Sequence, residues 1–337
     1  MMKVAYLILA HTDLKHLNKL IDAINYKCDI YIHIDSKFKV DITQISGGDN
    51  IHIIPHRFDI GWGGFNMVLA TKELMKTALN KGNSYSHLVL LSGSDYPLKS
   101  KQEIYNYFKK QTGIEIIRGY NIAKCGCKHC KEKLSRYWFY DPLIKNKRID
   151  NFIRRTIHFF LKPIKKNILL NINGREINPY FGSQWWALTP ECVAYILNYT
   201  EINKKFDKFF KHSMAPDEMY FHTLVFNSKY SLKTINNGAE DYSPTWKWNN
   251  FHYLKFPFNC NNLINKSFIE KLKIAFKKEE YTGSIPFLDE SYLLEIKESK
   301  YIFARKFNSV YSKELLDYID EKIIYTKKES ISKAYEK

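Results

Sequence analysis

A short apolar run opens the chain, KVAYLILA at residues 3–10, and the polar residues His11-Thr12-Asp13 follow it directly. Its apolar part is seven residues long and rich in strand-forming side chains, so it predicts a buried first strand. Roughly 18 uninterrupted apolar residues are needed to span a bilayer, and no run in the chain reaches that length. We therefore interpret the first run as part of a sheet, with neither a signal peptide nor a transmembrane helix.

Strand and helix patterns alternate through the first third of the chain. Strands are predicted at residues 3–10, 29–34, 51–54 and 87–92, with helices at 14–25 and 66–80. This order is typical of an α/β protein with a mostly parallel, doubly wound sheet, whose ligands lie at the carboxyl ends of the strands. His33, Asp35 and Lys37 stand at one such end, and the turn at residues 92–97 stands at another.

Composition and charge limit the class of protein. With 337 residues and 45% hydrophobic content, the chain can bury one large core or two packed lobes, which indicates a folded globular protein. The formal charge of +17 favours anionic partners such as nucleotide diphosphates, acidic glycans, anionic lipid or nucleic acid. Charge alone does not choose among these partners.

Two carboxylates follow a proline at Pro216-Asp217-Glu218. A proline at the first helical position predicts a helix start, and both carboxylates then lie in the first turn, where the helix dipole favours negative charge. They are either ordinary helix stabilisers or part of a catalytic site. His222 follows four residues later, on the same predicted helical face, and could orient Glu218.

Two glycine-containing loops are further candidates. The turn Ser92-Gly93-Ser94-Asp95 can present backbone amides and a carboxylate to a ribose or pyrophosphate, or it can be a simple cap. The loop at residues 59–64 contains three glycines, which permit a tight backbone path. Its Trp62 is equally compatible with core packing.

Five segments, in the same order along the chain, resemble the core-2/I-branching β-1,6-N-acetylglucosaminyltransferases and the related peptide O-xylosyltransferases. They are YIHIDSK at 31–37, WGG at 62–64 with Ala70 following, LSGSDYPL at 91–98, the region from Gly182 to Pro216 with Asp217-Glu218, and FARKF at 303–307. Each segment is weak alone, but ordered co-occurrence over most of the chain is hard to reach by chance. The resemblance implies a nucleotide-diphospho-sugar transferase fold of the GT-A type.

The resemblance also implies a reaction and its residues. Glu218 would remove the proton from the acceptor hydroxyl, and Asp217 would brace the turn, although the two roles could be exchanged. His33 and Asp35 would lie near the uracil and ribose of a UDP-sugar, and Asp95 near the sugar. The implied reaction is an inverting transfer of N-acetylglucosamine, which we prefer, or of xylose. The acceptor would be a glycan, a lipid-linked oligosaccharide or a protein serine.

A metal ion is not expected as a cofactor. Many sugar transferases hold a divalent metal with Asp-x-Asp, and this pattern is absent from the chain. The segment containing Arg305 and Lys306 resembles a basic motif of the family that replaces the metal at the diphosphate. Without the resemblance, this basic pair would equally fit a solvated strand edge.

Aromatic residues would form the acceptor side of the site. Tryptophan faces stack on pyranose rings, and the candidates are Trp185, Trp186, Trp246 and Trp248, with Arg136 and Asp217 as polar candidates. Core packing is the competing interpretation. If residues 181–186 form a strand, at least one of Trp185 and Trp186 should point inward.

Six cysteines are present, and three of them cluster at Cys125, Cys127 and Cys130. The cluster has enough soft ligands for zinc, yet structural zinc sites usually join two separated ligand pairs, and no second Cys-x-x-Cys exists here. Free thiols in a loop are the expected alternative.

The chain is predicted to have four segments. Residues 1–120 form a nucleotide-sugar-binding half, 121–178 a basic helical insertion, 179–325 an acceptor-binding and catalytic half, and 326–337 a charged tail. Basic and apolar residues alternate at 148–166, so the insertion could contact an anionic membrane or simply be a solvated face. We expect a cytoplasmic protein, either free in solution or peripheral at the inner membrane face.

Two other classes of function fit parts of the sequence. A nucleic-acid-binding protein would explain the +17 charge but not the ordered motifs, so nucleic acid is not an expected partner. A carbohydrate-binding module without catalysis would keep its sugar affinity when Glu218 is changed.

Overall fold

A computed structural model describes residues 2–243, 249–255 and 285–325. The strands are β1 Lys3–Ala10, β2 Cys28–Ile34, β3 Ile51–Ile53, β4 Tyr85–Ser92, β5 Asp95–Pro97, β6 Gly119–Asn121, β7 Leu170–Ile172, β8 Arg175–Ile177, β9 Tyr180–Gly182, β10 Ala187–Leu188, β11 His252–Leu254 and β12 Phe303–Arg305. The helices are α1 Leu14–Ile24, α2 Asn66–Asn80, α3 Lys101–Lys110, α4 Lys128–Ser135, α5 Lys147–Leu161, α6 Pro190–Ile202, α7 Lys204–Phe210, α8 Tyr220–Phe226, α9 Leu293–Lys297 and α10 Lys313–Ile319. The predicted tail at 326–337 lies outside the described residues.

The central sheet has the strand order β10-β4-β1-β2-β3. β1 runs parallel to β2 and β4, β2 runs parallel to β3, and only β10 is antiparallel to its neighbour among these pairs. This confirms the predicted α/β class and the parallel-rich sheet. Ala10, Ile34 and Ser92 therefore end their strands at the same edge.

Helices cover both faces of the sheet. Alternate residues of each strand point to opposite faces and pack on different helices. Leu7 and Leu90 pack on one face with residues of α2, α6 and α8. Ile8 and Leu91 pack on the other face with α1, α3 and α10. Each fully buried side chain of this size stabilises the fold by about 1.5–3 kcal/mol, so both faces contribute to holding the strand ends in place.

A second sheet brings the far end of the chain back to the first third. Its order is β11-β12-β5, with Arg305 opposite Asp95 in the antiparallel pair β12–β5. Just beyond β12, the backbone and hydroxyl groups of Ser309 donate to the carboxylate of Asp13, which also caps α1 through the amide of His16. Residues distant in sequence are thereby fixed at the carboxyl edge of the central sheet.

The segment with α4, α5 and the β7–β8 hairpin lies between β6 and β9, which pair antiparallel with Tyr120 opposite Phe181. This helix-rich segment corresponds to the predicted insertion at 121–178, and the division of the chain into halves stays a prediction. Within the described ranges, no helix has the combined length and apolar character needed to cross a membrane.

One local prediction was wrong, and a second was right only in part. The expected strand at 181–186 is interrupted, since β9 ends at Gly182 and β10 begins at Ala187. In this first case the two pieces belong to different sheets, because β9 pairs with β6 whereas β10 pairs with β4 at the edge of the central sheet. In the second, Pro216 does begin a helical turn that contains Asp217 and Glu218, as predicted, but the turn is 3-10 and α8 begins only at Tyr220.

Candidate active site

Asp35 directly follows β2, and its side chain is buried. Its Oδ1 accepts from the Lys37 amide at 2.8 Å, and its Oδ2 pairs with the Lys37 ammonium at 3.1 Å. The same ammonium donates to the carboxylate of Asp59 and to the carbonyl of Ile60. Lys37 therefore ties the end of β2 to the glycine-containing loop at 59–64.

His33 is fully buried and supports this loop from inside. Its Nε2 accepts a hydrogen bond from the Phe58 amide at 2.9 Å, so this nitrogen is unprotonated. Burial lowers the pKa of His33 to about 4, which keeps the ring neutral near pH 7. With its ring inside the protein, a role of His33 in donor binding would be indirect, through the loop at Phe58.

Asp95 is fully buried in a network of three partners. Its Oδ2 accepts from the Ser92 amide at 2.8 Å and from His252 Nε2 at 3.0 Å, and Arg305 Nε lies 3.6 Å from Oδ1. Burial alone would raise the pKa of Asp95, but Arg305 and then His252 outweigh it and hold the pKa below its usual value. Asp95 is thus an anion that fixes Arg305.

Arg305 is held between this carboxylate and an aromatic ring. Its guanidinium carbon lies 4.2 Å from the centroid of the Trp185 ring, a cation–π geometry, and the side chain is almost completely buried. Lys306 is only partly buried. Its pKa is lowered by burial and by the neighbouring charge of Arg305. With Arg305 buried and paired with Asp95, Lys306 is the more accessible cation of the two.

His11 interacts electrostatically both with Asp35, at the end of a neighbouring strand, and with the basic pair Arg305 and Lys306. It directly follows β1 and its side chain is exposed, yet the protein atoms around it lower its pKa by partial desolvation, then the charges of Arg305 and Lys306 lower it further, while Asp35 acts in the opposite direction. His11 is therefore within electrostatic reach of both Asp35 and the basic pair. The carboxyl edge of the sheet collects one histidine, two carboxylates and three cations: His11, Asp35, Asp95, Lys37, Arg305 and Lys306.

A second cluster surrounds the turn Pro216–Glu218. Before the turn, Ala215 takes a left-handed conformation with φ 51°, and its amide donates to the Gly63 carbonyl at 2.9 Å. The Glu218 carboxylate accepts from the Lys133 ammonium at 2.8 Å and keeps 27% of its side-chain surface exposed. The turn is thus fastened to the same glycine-containing loop that Lys37 contacts from the other side.

The two adjacent carboxylates have different surroundings. Asp217 is only 7% exposed, and burial, followed by the negative charge of Glu218, raises its pKa to about 7. Glu218 is the more accessible of the two and has a cationic partner. The expected support of Glu218 by His222 was wrong, because the His222 ring is buried against Gly182 while Lys133 holds Glu218.

A cleft of about 750 Å³ opens between the glycine-containing loop and the helix-rich segment. Its lining includes Lys37, Trp62, Tyr140, Lys147 and Arg154. Trp62 is 74% exposed and meets Tyr140 edge-on at a centroid distance of 6.0 Å, so the core-packing interpretation of Trp62 was wrong. The cleft offers both aromatic and cationic groups to a ligand.

Sequence comparison supplies the family. Residues 4–272 match the Core-2/I-Branching enzyme family, which is more than half of the chain. The chain belongs to this family.

Individual members of the family are distant relatives. The chain is 23% identical to "Xylosyltransferase 2" of Rattus norvegicus over 331 residues, covering 95% of this chain and 33% of that protein. It is 22% identical to "Xylosyltransferase oxt" of Drosophila melanogaster, covering 73% and 26%. It is 24% identical to "Beta-1,3-galactosyl-O-glycosyl-glycoprotein beta-1,6-N-acetylglucosaminyltransferase 4" of Mus musculus, covering 66% and 46%. The chain spans about a third of the length of the xylosyltransferase 2 it matches, and these relatives are all named as glycosyltransferases.

The structure separates the acceptor candidates of this Core-2/I-Branching family member. Trp186 is fully buried and packs on Phe221 at a centroid distance of 5.2 Å, so its assignment to a sugar surface is corrected to a core residue. Trp185 stacks on the Arg305 guanidinium, so it lies beside the charged groups at the carboxyl edge of the sheet. Arg136 pairs with Glu132 at 3.0 Å, and its contact with an acceptor stays a prediction. Trp246 and Trp248 lie outside the described residues.

Some residues of the site were missed by sequence reasoning. Lys133 lies in a lysine-rich helix with no local signal that marks it, and His252 reaches Asp95 only through the pairing of β11 with β12. Asp141 accepts from the amides of Gly61 and Asn66 and thereby anchors the glycine-containing loop and the start of α2. His11 did carry a signal, because a polar residue directly after a parallel strand faces the ligand edge.

The cysteine cluster lies at the start of α4, where Cys127 is the N-cap residue. The thiol of Cys127 accepts from the Cys130 amide at 3.3 Å as the helix cap, and the two sulfur atoms lie 2.7 Å apart. Cys130 lies within α4, so the expectation that all three thiols lie in a loop was wrong for this residue. In the part of the chain that the structure describes, no three His, Cys, Asp or Glu side chains are grouped as a metal site requires.

Proposed function

We propose that this protein is an inverting, metal-independent glycosyltransferase of the GT-A type that moves N-acetylglucosamine, or xylose, from a UDP-sugar to a hydroxyl group. The observation that carries the proposal is the pair of clusters joined by one loop. Lys37 holds the glycine-containing loop on the donor side, and Ala215 holds the same loop beside Glu218. A base and a set of phosphate-binding cations are therefore available to one bound substrate pair.

Glu218 acts as the general base in this proposal. Its carboxylate is accessible, whereas the Asp217 carboxyl is buried, and Lys133 fixes its orientation. As the acceptor oxygen forms its bond to the anomeric carbon, its proton passes to Glu218, and the bond from that carbon to the UDP oxygen breaks with its electron pair leaving on UDP. A single displacement from an α-linked donor yields a β-glycoside.

The leaving diphosphate is stabilised by the basic pair. Lys306 contributes the more accessible charge, and Arg305 is preorganised by Asp95 and Trp185. Fixed cations at developing negative charge can contribute several kcal/mol to the transition state. Together with the absence of Asp-x-Asp from the sequence, this arrangement supports catalysis without a metal ion.

Donor and acceptor are proposed at the level of class. Relatives named for xylosyl and for N-acetylglucosaminyl transfer both match, and we favour UDP-N-acetylglucosamine, with peptide O-xylosyl transfer as the alternative. Asp35 would face the ribose and uracil at the end of β2. The acceptor would be a surface polysaccharide, a lipid-linked oligosaccharide or a protein hydroxyl.

The test is UDP release from a panel of UDP-sugars by the purified protein in EDTA. We expect donor-selective turnover that persists in EDTA and is lost in Glu218→Gln and Lys306→Ala. Turnover that requires added Mg²⁺ or Mn²⁺ would overturn the metal-independent mechanism. If no donor reacts, calorimetry with UDP decides, since the complete absence of UDP binding would overturn the transferase proposal.

A further inference from the structure

The outward face of α5 alternates cations and aromatic rings. At spacings of four and three residues, which keep side chains on one helical face, it carries Arg148, Phe152, Arg155 and Phe159, and the C-cap residue Lys162 continues the same spacing. Phe152 and Phe159 are 71% and 72% exposed. Two large apolar rings left in water on a solvent-facing helix are unusual for a surface with no partner.

The opposite face of α5 is fixed to the protein, which sets the direction of the outward face. Asp150 accepts from the Leu143 amide at 2.7 Å and pairs with Arg154, whose guanidinium also donates to the carbonyls of Phe139 and Tyr140. The His158 ring stacks on Trp138 at 5.2 Å. Rotation of the helix to bury its phenylalanines would break these contacts.

The outward face has one sign of charge. The sequence from position 145 to 165 contains a single acidic residue, Asp150, and its side chain is buried. Neighbouring exposed residues extend the same composition in both directions, with the apolar set Leu143, Ile144, Ile149, Phe160 and Ile164 and the basic set Lys145, Lys147 and Lys165. The three cations of the outward face are Arg148, Arg155 and Lys162, and none of them forms an ion pair within the described residues.

We propose that this face of α5 docks on the surface of an anionic lipid bilayer. An interfacial helix places its aromatic rings at the boundary of the acyl chains while its cations contact lipid phosphates. Each cation near an anionic surface adds to the attraction, and the outward face of α5 supplies three. A nucleic acid duplex would use the cations but would leave the apolar set without partners, so the lipid surface fits the whole face.

The docking surface adjoins the cleft of the proposed transferase. Lys147, Asn151 and Arg154 of α5 line that cleft, so the helix that would lie on lipid is also one wall of the cleft. On the basis of the proposed function, this arrangement selects a lipid-linked acceptor, whose glycan would enter the cleft while its lipid stays in the bilayer. The membrane-docking inference itself does not depend on that function.

Co-sedimentation with vesicles tests the docking surface. The probes are vesicles of phosphatidylcholine alone and of phosphatidylcholine with phosphatidylglycerol, at two salt concentrations. We expect the wild type to bind only the anionic vesicles, with weaker binding at higher salt. Phe152→Ser/Phe159→Ser and Arg148→Gln/Arg155→Gln/Lys162→Gln should each weaken binding at least tenfold.

Matched control variants distinguish specific binding through this face from non-specific binding to vesicles. Ile202→Ser/Leu232→Ser removes two comparably exposed apolar residues elsewhere, and Lys109→Gln/Lys110→Gln/Lys313→Gln removes three exposed cations elsewhere. Both controls should bind anionic vesicles as the wild type does. Equal loss in the controls and the face variants would overturn the proposal. Binding of duplex DNA through the same residues, with no vesicle binding, would overturn it in favour of a nucleic acid partner.

A second readout distinguishes failure of docking from failure of the proposed function. UDP release with a water-soluble acceptor should be unchanged in the α5 variants, and Glu218→Gln should still bind vesicles. Unchanged melting temperatures would show that the exposed substitutions leave the fold intact. Vesicle binding by the wild type without any UDP binding would support docking and contradict the transferase.

Discussion

Asp217 and Glu218 are neighbours in sequence with different chemical environments. Burial raises the pKa of Asp217 to about 7, whereas the Glu218 side chain is partly open and bonded to Lys133. An amide or a neutral carboxyl would therefore be tolerated at position 217 but not at position 218, if Glu218 is the base. The two residues can be separated experimentally because their neutral substitutes have nearly the same shape.

We predict that Glu218→Gln lowers kcat by about 100- to 10,000-fold, the usual range for loss of a general base. The KM for the UDP-sugar should change little, since the proposed mechanism places Glu218 at the acceptor hydroxyl. Steady-state UDP release measures both. Glu201→Gln, at a surface ion pair with Lys204, is the control and should keep full activity. A kcat within threefold of the wild type would remove Glu218 from the mechanism.

Asp217 should make the stability of the protein depend on pH. Its folded-state pKa is raised above the ordinary value of 3.8, so the folded state binds more protons than the unfolded state between about pH 4 and pH 7. Stability then falls as pH rises through that window, by as much as ~1.4 kcal/mol for each unit by which the pKa is raised. The fall ends above the folded-state pKa, where both states are ionised.

The Asp217→Asn variant should lack this contribution. Urea unfolding at pH 5 and pH 8 is expected to show a stability gain for the variant, relative to the wild type, that is larger at pH 8. The same difference at both pH values would contradict a raised pKa at this position.

At the scale of elements, the glycine-containing loop depends on close contacts with the helix-rich segment. A Cβ at Gly64 would lie 2.1 Å from Asp141 Oδ1, and one at Gly61 would lie 2.1 Å from the Tyr140 carbonyl oxygen. Asp141 also holds the amide of Asn66 at the start of α2. Contacts of Asp141 and Tyr140 therefore hold the loop, the cleft wall and the start of α2 in fixed positions relative to one another.

We predict that Gly64→Ala destabilises the protein by about 1–3 kcal/mol, within the range of overpacking substitutions, and also lowers transferase activity. The control is Gly47→Ala, where a Cβ meets no atom within 4 Å. Thermal unfolding and UDP release measure the two effects. Wild-type stability and activity in Gly64→Ala would show that the loop does not need its contact with Asp141.

The elements that sequence patterns predicted well are those with local signals. The bounds of β1 and α2 were predicted as the structure has them, since their apolar periodicity lies within the element itself. The second sheet was not predicted, because pairing of β12 with β5 depends on residues far apart in sequence. For the same reason, Asp95 and Arg305 were chosen separately as candidates, while His252, which lies between them in the chain, was missed.

At the scale of the whole molecule, the buried network of Asp95, His252 and Arg305 joins the first third of the chain to its far end. Removing one partner of a buried ion pair leaves an uncompensated charge and typically costs 3–5 kcal/mol. Lys306, by contrast, is only partly buried and is not part of that pair. Neighbouring cations in one motif should therefore differ in what they contribute to the fold.

We predict that Arg305→Met lowers the free energy of unfolding by about 3–5 kcal/mol and abolishes UDP binding. Lys306→Met should change stability by less than about 0.5 kcal/mol, as for most surface substitutions, while it still weakens UDP binding. Urea unfolding and calorimetry with UDP test the pair. Equal destabilisation by both substitutions would show that Lys306 is structural as well.

The return of β12 to β5 also has a consequence for protein synthesis. Arg305 is translated about 210 residues after Asp95, which corresponds to a delay of roughly 10–40 s at ordinary elongation rates of about 5–20 residues per second. During that interval Asp95 has neither its arginine nor the β12 backbone beside it. A ribosome-bound nascent chain in which residue 305 is still inside the exit tunnel should therefore be unable to bind nucleotide, however well its first third has folded.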